Sequence, residues 1–261
     1  MSDRIQLFKP EDQGLFKKSP VYALSLFGGI MSIAISYLAR SMTKHTDRLA
    51  TDEYVNKFWH QQLQSTFSSL FVTGREYLLP GETYVFMSNH ESWMDIPAMF
   101  AAVPTSLRMV SKAEIMRLPI IGPAMVNAGF IAVDRGNRKK SIKQLEIAKE
   151  RLAQGISMWI APEGTRSRDG SLLNFKKGGF HVARSLGKAI VPVYIEGARD
   201  VLAPDSVMVN TNKSITVHFC PPIETLNYEK SHNDKLIELV RSAIVTKKNQ
   251  VLGEKTKDEA L

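Results

Sequence analysis

Seven short apolar runs recur between Leu70 and Phe219, and they constrain most strongly what this chain can fold into. They cover residues 70–72, 84–88, 108–111, 130–133, 156–161, 189–195 and 215–219. Each is rich in Val, Ile, Phe or Tyr and is bounded by Gly, Pro, Asn or polar residues, the pattern of a strand. Helical stretches separate them. The clearest is 142–154, with Ser141 as N-cap, Gln144 at the third helical position and Gly155 as the stop. Ile142, Leu145, Ala148 and Leu152 form its apolar stripe. Another helix is expected over 233–248, with Leu236, Leu239, Val240 and Ile244 facing inward. Strands alternating with helices predict an α/β domain with a mixed, largely parallel sheet flanked by helices.

The N-terminal part has a different character. Residues 19–39 carry no charged side chain, and a span of the hydrocarbon core needs about 20 such residues. Lys17 and Lys18 precede the run and Arg40 closes it, which suits snorkelling at a membrane interface. Ser25, Gly28, Gly29, Ser32 and Ser36 dilute it, and a buried core helix is the alternative. A cleaved signal peptide fits poorly, because the preceding region is long and contains acids, and no small-residue cleavage site is evident. The preferred reading is a retained membrane-embedded helix, spanning or re-entrant. A second helix over 51–70, carrying Tyr54, Phe58, Leu63 and Phe67, would pair with it, lie along the interface, or form an ordinary surface helix. The expected organisation is membrane-associated helices over 1–69, an α/β domain over 70–249 and a flexible tail over 250–261.

Composition narrows the partners. Lys plus Arg is 34 against 26 Asp plus Glu, a formal charge of +8, which calls for an anionic partner. Cys220 stands alone, so an internal disulfide and a Cys-rich zinc site are excluded. Nucleic acid is disfavoured: aromatic residues do not interleave with basic ones in a strip, and no nucleic-acid motif is present.

The residues that carry chemistry follow the strand candidates. After 84–88 comes Asn89-His90-Glu91-Ser92-Trp93-Met94-Asp95. A carboxylate on one imidazole nitrogen fixes the tautomer and leaves the other nitrogen to accept a proton. Five residues on a regular helix leave the pair about 140° apart, so they meet only if His90 sits before or at the start of a helix that contains Asp95. A structural His beside a solvated Asp is the other reading. After 156–161 comes Pro162-Glu163-Gly164-Thr165-Arg166-Ser167-Arg168, a tight loop able to offer guanidinium groups to an anion, or a solvated turn. Ala132-Val133-Asp134-Arg135 and Ser111-Lys112-Ala113-Glu114 also close strands. Ligand sites in open α/β sheets lie at such carboxyl ends. His45, His60, His181, His218 and His232 show no metal-ligand spacing.

Taken together and in this order, these blocks resemble the glycerolipid acyltransferase family, in particular its bacterial 1-acyl-glycerol-3-phosphate acyltransferases. The family's N-H-x4-D block is matched by Asn89, His90 and Asp95. Its strand-plus-D-R block is matched by 130–135, and its F-P-E-G-T-R-S block by Pro162 to Ser167 with Ala161 in the Phe place. Ile190, Val191, Pro192 and Val193 match its apolar V-P strand. The resemblance covers roughly residues 70–220. It implies an O-acyltransferase in which His90 is the general base and Asp95 orients it. Glu163, Gly164, Thr165 and Arg166 would form the acceptor site, with Arg166 on the phosphate and Lys112 and Arg135 as further basic contributors. The implied donor is acyl-CoA or acyl-carrier protein and the implied acceptor a lysophospholipid. No metal and no cofactor is implied. The implied location is a bacterial inner membrane, with the catalytic domain on its cytoplasmic side. Alternatives are acylation of another lyso-lipid, such as lyso-ornithine lipid, and a membrane-bound esterase. Against the esterase, no G-x-S-x-G elbow is present.

Overall fold

The computed structural model of the chain describes residues 4–9, 18–43, 48–133, 138–226, 228 and 233–258. The N-terminal part holds β1 (Ile5–Phe8), β2 (Lys18–Ser19), α1 (Pro20–Thr43) and α2 (Arg48–Gln64). The alternating part follows with β3 (Ser69–Thr73), β4 (Val85–Ser88), α3 (Asp95–Ala102), β5 (Leu107–Lys112), α4 (Ile121–Asn127) and β6 (Ile131–Val133). It continues through α5 (Arg138–Ala153), β7 (Ser157–Ile160), α6 (Lys177–Ser185), β8 (Ile190–Glu196) and α7 (Ala198–Val201). It closes with β9 (Val209–Asn210), β10 (Ser214–Phe219) and α8 (Asn233–Asp258).

All seven strand candidates are strands of one sheet. Its order is β1-β3-β10-β8-β4-β7-β5-β6, while β2 and β9 form a separate two-stranded ribbon. The pairs β3–β10, β8–β4, β4–β7, β7–β5 and β5–β6 are parallel. The pairs β1–β3 and β10–β8 are antiparallel, so the sheet is mixed and largely parallel. Side chains alternate between the two faces, as the pleat requires. Phe86 of β4 and Val191, Val193 and Ile195 of β8 enter a core shared with α3. Val85 and Met87 of β4 and Ile190 and Tyr194 of β8 face the opposite way, onto Phe180 of α6 and Leu236, Val240 and Ile244 of α8. Helices therefore cover both faces of the sheet.

This order positions the site. From β4 the chain passes through α3, on the first face, to β5. From β7 it passes through α6, on the second face, to β8. Since β4 and β7 are neighbours, their outgoing loops part to opposite faces and leave a crevice between their carboxyl ends.

Several boundaries differ from the expectations. Helix α5 starts at Arg138, so Ser141 lies inside the helix rather than capping it. Arg and Lys are strong helix formers and carry the helix back through 138–140. Gly155, at φ 79°, does end that region, and Ala148 and Leu152 are buried as expected. In α8, Leu236, Val240 and Ile244 are fully buried, whereas Leu239 is 37% exposed. Leu239 stands about 100° round the helix from Val240, off the buried stripe. The same helix continues to Asp258, beyond Lys248 and into the stretch 250–261.

In α2, Phe58 and Leu63 are buried. The helix stops at Gln64, Phe67 turns the chain at φ 51°, and Leu70 belongs to β3. Residues 5–8, which carried no strand expectation, form the sheet edge β1. Helix α1 lies against α2 and α4. Among the described residues no helix is both long and apolar enough to cross a membrane, which corrects the spanning half of the expectation for 19–39. Serines and glycines interrupt the run, and Ala34 and Tyr37 are buried against the protein.

Candidate active site

The loop after β4 is tied down before it reaches the chemistry. Ser88, the last residue of β4, accepts a 2.9 Å hydrogen bond on Oγ from the Trp159 indole of β7. The Asn89 amide is buried and pairs with the backbone of Ile195 in β8. Its Nδ2 donates to the Ile195 carbonyl at 2.9 Å, and its Oδ1 accepts from the Ile195 N–H at 2.7 Å. Ser92 Oγ donates to the Leu202 carbonyl at 2.6 Å and accepts from the Met94 N–H at 3.0 Å. These bonds hold the turn that separates His90 from α3.

Asp95 opens α3 and is fully buried. Its Oδ2 accepts three hydrogen bonds: His90 Nδ1 at 2.7 Å, Glu91 N–H at 2.8 Å and Ser92 N–H at 2.9 Å. The carboxylate reaches back over the N-terminal end of its helix, where a negative charge is favoured. His90 lies before the helix, the arrangement that the five-residue spacing demanded. With Nδ1 donating to Asp95, the His90 Nε2 is left as a proton acceptor. The His90 ring sits edge-on to Trp159, with centroids 6.3 Å apart.

The loop after β7 is stitched to this turn through the His90 backbone. Ser167 N–H donates to the His90 carbonyl at 2.8 Å, and the His90 N–H donates to Glu163 Oε1 at 2.8 Å. Glu163 Oε2 accepts the Leu173 N–H at 2.8 Å. Glu163 is therefore a tie between backbones. It is buried and is not among the residues that line the cavity over the crevice. Burial pushes its carboxyl up to about 7, opposed by the two backbone bonds and by the nearby His90. Gly164 turns the loop at φ 71°, where a side chain would be strained.

A cavity of about 700 Å³ opens over the crevice. His90, Gly164, Thr165 and Arg166 line it, together with Lys112 from the end of β5. Five expected site residues from three strand ends thus share one cavity. Arg166 donates from Nη1 to the Pro204 carbonyl at 2.5 Å, and its guanidinium lies over the Trp93 ring, 5.2 Å from the centroid. Ala161, standing in the Phe place, also lines the wall. Arg135 lies outside the described residues. Among the described residues no group of three or more His, Cys, Asp or Glu is arranged to hold a metal ion.

Comparison with known proteins places this geometry. A family model described as "Acyltransferase" matches residues 69–196, the stretch from β3 to β8. A 1-acyl-sn-glycerol-3-phosphate acyltransferase from Chlamydomonas reinhardtii is 30% identical over 234 residues, covering 88% of this chain and 67% of that protein. The chain belongs to the 1-acyl-sn-glycerol-3-phosphate acyltransferase family.

A chloroplastic acyltransferase of the same name from Arabidopsis thaliana is 33% identical over 171 residues, which is 65% of this chain and 48% of that protein. The alpha form from Homo sapiens is 31% identical, over 67% of this chain and 62% of that protein. The chain thus spans between about half and two thirds of these relatives' lengths. The crystal structure of the 1-acyl-sn-glycerophosphate (LPA) acyltransferase PlsC from Thermotoga maritima shares the fold. The TM-score is 0.72 at 23% identity, over 89% of this chain and 94% of that one.

Within this acyltransferase, sequence reasoning singled out His90, Asp95 and Arg166 but missed what holds them. Asn89 has no role of its own in the sequence pattern, yet it pins the N-H-x4-D block to β8. Trp93 carries no expected role in the sequence, yet its ring lies under the Arg166 guanidinium and lines the cavity. His181 and Lys176 reach the same wall from the α6 region.

Proposed function

We propose that this acyltransferase moves a fatty acyl group from a thioester donor, acyl-CoA or acyl-carrier protein, to the free hydroxyl of 1-acyl-glycerol-3-phosphate, giving phosphatidic acid. One observation carries the reading: the 2.7 Å His90–Asp95 pair stands in a cavity that also receives Arg166 and Lys112. His90 Nε2 takes the proton of the acceptor hydroxyl as its oxygen attacks the thioester carbonyl carbon. The buried Asp95 carboxylate stabilises the imidazolium that forms. The tetrahedral intermediate collapses with cleavage of the C–S bond, and the proton on Nε2 passes to the leaving thiolate. The acceptor supplies the nucleophile, so no Ser or Cys of the protein is consumed. A positioned base of this kind contributes about 10²- to 10⁴-fold. Arg166 and Lys112 hold the acceptor phosphate. The Trp93 ring and the Pro204 carbonyl keep the guanidinium in place, and a guanidinium suits a phosphate by its forked geometry.

Both substrates carry long apolar chains, so the reaction belongs at a membrane surface. Leu24 and Ile35 of α1 and Leu49 of α2 are exposed at 75%, 49% and 71%, apolar surface suited to entering one leaflet. The excess of basic residues suits an anionic lipid surface. The test supplies the purified protein with labelled acyl-CoA and a panel of lyso-acceptors. Labelled phosphatidic acid is the expected product. Absence of ester product with every glycerophosphate acceptor would sink the proposal. Product only from an amino-acid-containing lyso-lipid would transfer the activity to that acceptor class.

A further inference from the structure

A second cavity, of about 780 Å³, lies on the other side of Trp93, bounded by α1, α2, α3 and α4. Ile33 and Ala34 of α1, Phe58 of α2, Pro97 of α3 and Met125 of α4 give it an apolar wall. Trp93 and Ile115 line both this cavity and the one that holds His90, so the two meet at the catalytic turn. An apolar space of this size beside an acyl-transfer centre suits an acyl chain. One lining residue does not suit a plain chain. Gln62 of α2 is only 6% exposed, and its Oε1 has no hydrogen-bond partner among the described residues. The nearby Tyr37 hydroxyl, by contrast, is bonded to Thr51 Oγ1 at 3.2 Å.

Helix α1 makes room for this amide. Gly29 faces it, and a Cβ at that position would come within 2.5 Å of Gln62 Nε2. Buried polar groups without partners are costly, and a Leu would occupy similar space without that penalty. We infer that this cavity is a binding site for a hydroxylated acyl chain, with Gln62 as the residue that recognises the in-chain hydroxyl. A hydroxyl both donates and accepts, so it satisfies a carboxamide from either end. A plain chain leaves Oε1 unpaired in an apolar surround, and this difference is the source of selectivity.

The inference rests on the acyl-transfer reading, and it fixes the chain class without fixing which substrate brings it. The experiment therefore has two arms. In one, the full chain receives plain or hydroxylated long-chain acyl-CoA, across positional isomers. In the other, the hydroxyl is on the chain of the 1-acyl-glycerol-3-phosphate. One isomer in one arm should show kcat/KM about 10-fold above its plain counterpart, the scale of one buried hydrogen bond. The arm that responds identifies the occupant. In Gln62→Leu the ratio should fall to about one. Gln62→Met serves the same purpose if the Leu variant fails to give a native circular dichroism spectrum. A ratio near one for every isomer in both arms, with plain chains turned over normally, overturns this inference alone. A preference that survives both substitutions overturns the assignment to Gln62. Failure of all transfer would overturn the proposed reaction instead. Displacement of a fluorescent fatty acid by hydroxylated against plain fatty acid would then still decide whether the cavity selects the hydroxyl.

Discussion

Replacing Glu163 with Gln tests how the loops after β4 and β7 are held together. The change preserves shape and alters only hydrogen-bonding character. In the native chain each carboxylate oxygen accepts one backbone N–H, from His90 and Leu173, both at 2.8 Å. An amide offers one oxygen, and its NH2 must face the other N–H. Two donors then meet in a buried place, at an expected cost of about 1–3 kcal/mol. The pH dependence separates this effect from general loosening. Burial raises the Glu163 carboxyl from 4.5 to about 7, so the folded chain holds that proton more tightly than the unfolded chain. The stabilisation this proton brings is complete below about pH 4.5 and is lost as pH rises through about 7. At about 1.4 kcal/mol for each pH unit between the two values, the loss is at most about 3.5 kcal/mol. Urea unfolding midpoints of both proteins, measured from pH 4.5 to 8, give the comparison. The native chain should lose stability across that window relative to Glu163→Gln, whose residue 163 does not titrate. Parallel pH profiles for the two proteins would refute the assignment of a buried, proton-binding carboxyl at this tie.

Other expectations follow from the same geometry. His90→Ala should lower acyl transfer by about 10²- to 10⁴-fold while leaving the fold and acceptor binding largely intact, and near-normal turnover would exclude His90 as the base. Arg166→Ala should raise the apparent KM for the acceptor by about 10- to 100-fold, the worth of a charge-assisted bond, whereas a selective loss of donor affinity would reassign that side chain. Asp52→Ala should cost about 3–5 kcal/mol in urea unfolding. Arg108 is only 2% exposed, and its Nη1 donates to Asp52 at 2.7 Å, so its charge would lose that carboxylate.

The fold was legible where its signals are local. Strand runs show themselves by β-branched and aromatic residues over a few positions, and each such run became a strand of the sheet. Helix limits were less legible. Ser141 looked like a cap, yet strong helix formers upstream extend α5 past it. Leu239 looked inward, yet α8 turns it about 100° from Val240. The edge strand β1 went unseen because four residues with little patterning become a strand only by pairing with β3. The His90–Asp95 pair was legible through the N-H-x4-D block it belongs to, since the five-residue spacing alone fits a structural His beside a solvated Asp equally well. The direction of Glu163 was not, because it depends on where a neighbouring loop leaves the backbone N–H of His90.

By itself the sequence determined the alternation of strands and helices, a short-range property written in periodicity, while the resemblance carried by its motif blocks singled out the His90–Asp95 pair and the basic loop around Arg166. Tertiary structure alone decided that β4 and β7 lie side by side. Sheet order depends on which apolar faces are buried together across long stretches of chain, and local pattern does not encode it. From that order follow the crevice between two diverging loops, the burial of Glu163 between two backbones, and the apolar cavity with the Gln62 amide on its wall.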